Sequence, residues 1–200
     1  MGKPDFFNDM AEQWDTMNRC DFDKIELMLK LLYIKTDDTV LDVGTGTGVL
    51  IPFLLKVTNN ISAIDSAEKM IEAARKKYAH THVNFVHGDV MEYPFDDGAF
   101  DHIICYSVFP HFDDKPKAIA HFAKKLKPGG LLSILHSASR DRINGVHVHA
   151  HDRDIMADSL PPARGLISSA QNNGLREEII IDNEEMYFFG ARRKWRSNGN

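Results

Sequence analysis

The sequence predicts an α/β fold: a doubly wound, seven-stranded, mostly parallel sheet with helices on both faces and an antiparallel last strand. Three observations carry this. Short β-branched runs alternate with helix-length amphipathic segments over residues 39–135, the pattern of βαβ units. The first run, Val40-Leu41-Asp42-Val43, leads into glycines at 44, 46 and 48 and then a new apolar run, the order strand, tight turn, helix start. The chain closes on two apolar runs, 175–181 and 186–191, joined by a polar turn over 182–185, which reads as an antiparallel hairpin.

The elements follow in order. Residues 5–14 predict a short helix with Phe6, Phe7, Met10 and Trp14 as apolar contacts. Asp21 is placed to cap a second helix, whose Ile25, Met28, Leu29 and Leu32 recur at helical spacing and form one buried stripe. The first strand spans 39–43. The glycine turn then feeds a helix bearing Val49, Leu50, Phe53 and Leu54, with Pro52 in its first turn, where a missing amide hydrogen costs little. A second strand, 61–64, ends at Asp65, and Ser66 is expected to cap the helix over 67–78. A third strand over 83–87 precedes Gly88-Asp89, and the fourth covers 100–105. Pro116 opens a helix that Pro128-Gly129-Gly130 ends before the fifth strand, 131–135. The polar stretch 137–159 is too long for an ordinary connection and reads as a functional loop or lid. A helix over 163–170 precedes the hairpin, with Gly174 just past it.

Two hundred residues suit one domain. The expected division is a helical cap (1–36), a ligand-binding core (37–136), a substrate loop or lid (137–159), and a closing helix and hairpin (160–200). The net charge of -5 gives no general attraction for nucleic acid or anionic membrane. The basic cluster Arg192, Arg193, Lys194 and Arg196 reads as a solvated strand end. Cys20 and Cys105 form neither a disulfide framework nor a metal-type spacing. The N-terminal stretch has no apolar signal-type segment, and no run is long enough to span a bilayer. A cytoplasmic protein, monomer or homodimer, is expected.

The glycine turn predicts a nucleotide-type ligand, because open amides at a helix start face whatever sits there. Dinucleotide and S-adenosylmethionine sites share this feature. The dinucleotide pattern G-x-G-x-x-G places its third glycine where this chain has Val49. Asp65, ending the second strand, suits ribose hydroxyls under either reading. Asp89 at the end of the third strand suits an adenine amino group. Asp42 is an awkward buried carboxylate that a ligand ammonium would justify.

The stretch Leu41-Asp42-Val43-Gly44-Thr45-Gly46-Thr47-Gly48, with Phe100-Asp101-His102-Ile103-Ile104 and Lys127-Pro128-Gly129-Gly130, resembles the class I S-adenosylmethionine-dependent methyltransferases. More narrowly, it is similar to the type 11-like small-molecule group related to the ubiquinone and menaquinone C-methyltransferases. The resemblance implies a Rossmann-like fold with a reversed last strand inside the sheet. It implies that Gly44, Thr45, Gly46 and Gly48 wrap the methionine part and ribose, and that Asp42 reaches the amino group directly or through water. Asp65 with Ser66 would hold the ribose side, and Asp89 with Val90 the adenine. Tyr106 and Ser107 would face the methyl group and substrate. The donor becomes S-adenosylhomocysteine, and the acceptor is an unidentified small molecule. The run Cys105-Tyr106-Ser107-Val108-Phe109-Pro110 lacks the Asn/Asp-Pro-Pro-Tyr/Phe signature of enzymes that methylate base or glutamine nitrogens.

A sulfonium methyl is already activated, so the protein must chiefly align the nucleophile and exclude water. A base is needed only for an acceptor that loses a proton. Alongside Tyr106 and Ser107, His136 is the expected base; His111 is expected to be structural. His147, His149 and His151 would lie on one side of an extended segment. They read as a loop or as substrate contacts, with metal binding the less favoured alternative. Two other functions stay open: a non-catalytic S-adenosylmethionine-binding or interaction protein, and an NAD-dependent oxidoreductase.

Overall fold

The structure is a computed structural model that describes residues 3–17, 20–148 and 153–195. Helices α1 (Lys3–Met10) and α2 (Trp14–Met17) replace the single expected helix, with a turn at 11–13 between them. Helix α3 (Phe22–Lys30) is capped as the sequence predicts: the Asp21 side chain accepts from the Lys24 amide, and Ile25, Met28 and Leu29 are buried. Strand β1 (Val40–Val43) is buried along its whole length, as a central parallel strand covered on both faces must be. Helix α4 (Ile51–Leu54) is a single turn that starts two residues later than expected and carries Pro52 at its beginning.

Strand β2 (Ile61–Asp65) leads to α5 (Glu68–Lys77), β3 (Asn84–His87), β4 (Phe100–Tyr106) and α6 (Lys115–Lys125). Ser66 does not cap α5. The cap residue is Ala67, which has no capping side chain. Asp65 Oδ1 instead accepts from the Ala67 amide at 2.9 Å, and Asn8 Oδ1 of α1 accepts from the Lys69 amide at 2.9 Å. A long-range contact thus satisfies a donor that local capping would ordinarily serve.

Strand β5 (Leu126–His136) begins five residues before the expected strand, so Pro128-Gly129-Gly130 lies inside it. The register shifts there against β4, between Phe100 and His102. A Cβ on Gly130 would lie 3.0 Å from three carbonyl oxygens, so glycine lets the irregular strand pass close to its neighbour. The expected loop over 137–159 contains α7 (Arg140–Val148) and α8 (Arg153–Met156). His147 therefore sits in helical backbone, and the alternation expected of an extended segment does not hold there. His149 and His151 lie outside the described residues. No cluster of metal-type side chains occurs among the described residues. A 3₁₀ turn, Ala163–Leu166, and α9 (Ile167–Asn172) precede β6 (Leu175–Asp182) and β7 (Tyr187–Arg193).

Among the described residues the sheet order is β3-β2-β1-β4-β5-β7-β6, parallel except that β7 runs against both neighbours. Alternate residues feed the two faces. Leu41 and Val43 join a cluster with Ile119, Phe122 and Ala170, whereas Val40 joins Met28, Leu32 and Leu54. The basic cluster is partly tied into this sheet: Arg192 pairs with Glu178, and Arg193 donates to the carbonyls of Lys124 and Leu126. No described helix is long and apolar enough to cross a membrane. The strand order reverses between β1 and β4, and a crevice outside the carboxyl ends of strands at that point is where such sheets bind ligands.

Candidate active site

A cavity of about 2220 Å³ opens at that switch point. This is larger than the roughly 300–1,000 Å³ of a site for one small ligand. Its residues come from the ends of β1, β2, β4 and β5, the turn after β3, α1 and α2, and the α7–α8 segment.

One wall is the glycine turn. Gly44, Gly46 and Gly48 all have left-handed φ, at 64°, 55° and 87°. Their duties differ. A Cβ on Gly44 would stand 2.3 Å from Val108 Cγ2, whereas on Gly48 it would meet the Tyr78 ring at 2.6 Å. Gly44, Thr45 and Gly46 line the cavity; Gly48 does not. Gly48, expected around the ligand, thus also meets a packing need against Tyr78. Asp65 ties the turn to β2. Its Oδ2 accepts from the Gly46 amide at 2.8 Å while Oδ1 takes Ala67. Burial pushes the Asp65 carboxyl up, against the pull of those two amides. Each oxygen keeps a second lone pair for a hydroxyl donor.

Asp42 lies deeper than the other residues expected at the ligand. It is 1% exposed and does not line the cavity. Its Oδ2 accepts from the Thr45 hydroxyl at 2.7 Å, and burial raises its pKa to about 7. Thr45, bonded to this carboxylate, does line the cavity. Ser66, Asp89 and Val90 do reach the cavity. Asp89 is exposed, and its Oδ1 accepts from the Met91 amide at 2.8 Å. Val90 is 6% exposed.

The opposite side gathers the expected chemistry-bearing residues less closely. Ser107 lines the cavity, is exposed, and has φ 58°. A left-handed serine at a strand end costs about 1–3 kcal/mol and marks a position the surroundings enforce. Tyr106 bonds through its hydroxyl to Ser137 Oγ at 2.8 Å, and burial pushes its pKa to about 12. That makes it a hydrogen-bonding group rather than a base near neutral pH. His136 reaches the cavity but is 1% exposed and packs edge-on against Tyr187, with ring centroids 5.9 Å apart. It forms part of the floor, so its expected role as a base finds little access.

Several wall residues have no local signal in the sequence. Asp15 of α2 accepts from the Thr47 hydroxyl at 2.5 Å and from Lys77 Nζ at 2.8 Å, binding α2 to the glycine turn and to α5. Phe7 stands edge-on to both Trp14 and His111. His111 Nδ1 lies 2.6 Å from Asp158 Oδ2, and Lys3 Nζ lies 2.8 Å from Asp158 Oδ1. His111, expected to be structural, thus joins a charged cluster that lines the cavity.

The residues present fit an adenosyl ligand. Backbone open enough for close approach sits at the end of β1, a carboxylate sits at the end of β2, and an acidic turn follows β3.

Residues 41–134 match the family model described as Methyltransferase domain. The demethylmenaquinone methyltransferase of Staphylococcus aureus is 29% identical over 141 residues, covering 66% of this chain and 58% of the relative. The chain thus spans less than two thirds of that relative's length. Among solved structures, a chain of the complex between the Haloferax volcanii Trm112 methyltransferase activator and a methyltransferase superposes with TM-score 0.75 at 20% identity. That match covers 94% of this chain and 97% of the other. An S-adenosylmethionine-dependent methyltransferase from Aquifex aeolicus gives TM-score 0.65 at 22% identity, covering 96% and 98%.

Proposed function

We propose that this chain, whose residues 41–134 match a methyltransferase domain model, is a class I S-adenosylmethionine-dependent methyltransferase that moves a methyl group from S-adenosylmethionine to a small-molecule acceptor. The observation that carries the reading is the glycine turn, with Asp65 bonded across it, on one side of the cavity.

The bound donor supplies a methyl group on a sulfonium, which leaves behind a neutral thioether. The protein's part is to hold and align. Gly44 and Gly46 let the backbone approach the donor, and Asp65 accepts from its ribose hydroxyls. Asp89 and Val90 receive the adenine, one by a hydrogen bond and the other by apolar contact. Thr45 relays the charge of Asp42 toward the donor's ammonium. Helices α1 and α2, fastened by Asp15, shield this end from water. Ser107 and Tyr106 border the acceptor's side. The aromatic and aliphatic residues there, Phe7, Phe112, Ile143 and Ile155 among them, favour a partly apolar acceptor. The likeness to a demethylmenaquinone methyltransferase supports a ring compound of hydroquinone type.

Calorimetry with S-adenosylmethionine and S-adenosylhomocysteine tests the donor half. Wild type is expected to bind both, and Asp65→Ala is expected to bind roughly 10- to 100-fold more weakly, since it loses charge-assisted hydrogen bonds of about 1.5–3 kcal/mol. Absence of binding by wild type, or binding of NADH instead, overturns the reading. Binding without methyl transfer to any acceptor would mark a non-catalytic adenosyl-binding protein.

A further inference from the structure

We propose that His111 is the general base of the reaction, oriented by Asp158 as its positioning residue, and that the acceptor is a protic nucleophile such as a phenol or enol. This deepens the methyltransferase reading and rests on it.

His111 sits in the 3₁₀ turn Phe109–His111 that follows β4, and it lines the cavity beside Ser107. Its Nδ1 lies 2.6 Å from Asp158 Oδ2. Asp158 is 7% exposed. A buried carboxylate is costly unless it is paired and hydrogen-bonded, and both oxygens of this one are engaged: Oδ2 by His111 and Oδ1 by Lys3 Nζ at 2.8 Å. Burial pushes the Asp158 carboxyl up, but the hydrogen bonds from His111 and Lys3, with the charge of Lys3, pull it the other way, and its net direction is below the ordinary range. Asp158 is therefore ionised near neutral pH and accepts only. The hydrogen in the short contact belongs to Nδ1, which fixes the tautomer of the neutral ring and puts its lone pair on Nε2. A carboxylate that holds an imidazole in this tautomer, and later stabilises the imidazolium, is the arrangement a histidine base needs.

The charge around the ring is set by several elements. Lys3 of α1 donates to the His111 carbonyl at 2.8 Å and pairs with Asp113 at 2.7 Å. Lys115 donates to the carbonyls of Pro110 and Phe112. Asp65, across the cavity, is near enough to feel a protonated His111, although burial leaves its carboxyl raised overall. Asp158, Asp113 and Asp65 face the ring with negative charge and Lys3 and Lys115 with positive, so the site tolerates a transient imidazolium.

The step balances as follows. The acceptor's X–H proton passes to Nε2. The electron pair left on the acceptor forms the bond to the methyl carbon, and the carbon–sulfur pair returns to sulfur. The products are the methylated acceptor, neutral S-adenosylhomocysteine and a proton, which leaves the ring for solvent. Compared with the expected base, His136, the difference is access and orientation: His136 is 1% exposed and packed on Tyr187.

The test uses the full chain with two readouts. First, ¹⁵N-imidazole NMR of the protein saturated with S-adenosylhomocysteine, titrated until the His111 ring is neutral, is expected to show that ring with a protonated Nδ1 and an unprotonated Nε2. Asp158→Asn, whose amide donates to Nδ1, is expected to reverse this tautomer. A proton on Nε2 in the neutral wild-type ring overturns the proposal whatever the acceptor. Second, release of S-adenosylhomocysteine is followed with 1,4-naphthohydroquinone as probe. His111→Gln and Asp158→Asn are each expected to lower kcat by about 10²- to 10⁴-fold, the range for general acid–base catalysis. Calorimetry is expected to show S-adenosylmethionine affinity within threefold of wild type in both. Turnover of Asp158→Asn close to wild type would leave the pair a structural clamp and overturn the proposal. Failure of wild type to bind the donor would instead remove the methyltransferase reading. Donor binding without turnover of the probe would remove the hydroquinone acceptor class, and the tautomer would still decide for or against the base.

Discussion

The two sides of the cavity are held by different kinds of contact. On the glycine-turn side, Asp42 bonds Thr45 three residues away, and Asp65 bonds Gly46 on the adjacent strand's turn and Ala67 two residues on. On the opposite side, Lys3 meets the His111 carbonyl across 108 residues, and His111 meets Asp158 across 47. The carboxylate bonds of the first side run between chain neighbours or across one strand pair, with Asp15 and Val108 reaching it from farther off, so most of its geometry comes with the sheet. The second is assembled from three remote segments, so its geometry depends on the fold closing. Parts set by the sheet suit a ligand common to many proteins, and parts set by remote segments suit one that varies.

The largest expected effect probes the buried carboxylate under the glycine turn. Asp42 is ordinarily ionised above about pH 4, but in the folded chain its pKa is about 7. The folded state therefore binds more protons than the unfolded state between those values. Stability from this group is greatest below the unfolded pKa and is lost as pH rises to about 7, by on the order of 4 kcal/mol over the whole window. Asp42→Asn keeps an acceptor for Thr45 and removes the titration. Urea unfolding at pH 5 and pH 8 is expected to show the variant gaining on wild type at the higher pH. Equal pH dependence in the two proteins would mean that Asp42 is not titrating across that window.

Next comes the place where the two sides touch. Gly44 belongs to the turn, but the atom that forbids a side chain there is Val108, after β4. Gly44→Ala combines a left-handed φ of 64° with this overlap, at about 1–2 kcal/mol for the backbone and 1–3 for the packing. Thermal melts are expected to show a fall of roughly 6–12 °C for about 3 kcal/mol in a chain of this size. Val108→Ala on the same background is expected to restore part of the loss. No restoration would show that the two sides are packed independently and that the strain is all backbone.

The same contrast explains what was legible in the sequence. The strands, the reversed β7 and the Asp21 cap follow from local period and local residue types. So do the positive-φ turn and the positions of Asp65 and Asp89 on the cavity, whereas Val90 was reached only through the family resemblance. Gly48 and Asp42 were legible as special, but the Tyr78 ring beside the one and the Thr45 hydroxyl on the other were not. Ser66 looked like a cap because local rules favour serine, yet Asn8 of α1 serves the start of α5. His111 was placed by the sequence after the fourth strand and expected to be structural, and Asp158 carries no local pattern at all. Their pairing depends on where α8 delivers the chain.

The smallest effect concerns that remote pairing. Lys3 Nζ bridges Asp158 and the largely exposed Asp113. Lys3→Met keeps the length and apolar stem and removes the charge. Asp158 keeps His111, so the loss is expected to be about 1 kcal/mol, well short of the several kcal/mol for a buried charge left alone. The sign with pH is opposite to that of Asp42. The Asp158 pKa is depressed in the folded state, so its contribution is present above the ordinary carboxylate range and disappears as pH falls through the folded pKa. Removing Lys3 reduces that depression. Wild type and Lys3→Met are therefore expected to differ most near pH 7 and to converge in acid, with S-adenosylmethionine affinity changed by less than about threefold (0.65 kcal/mol). A large loss of donor affinity would show that Lys3, though seated on the remote side, also governs the glycine turn, and the division between the two sides would fail.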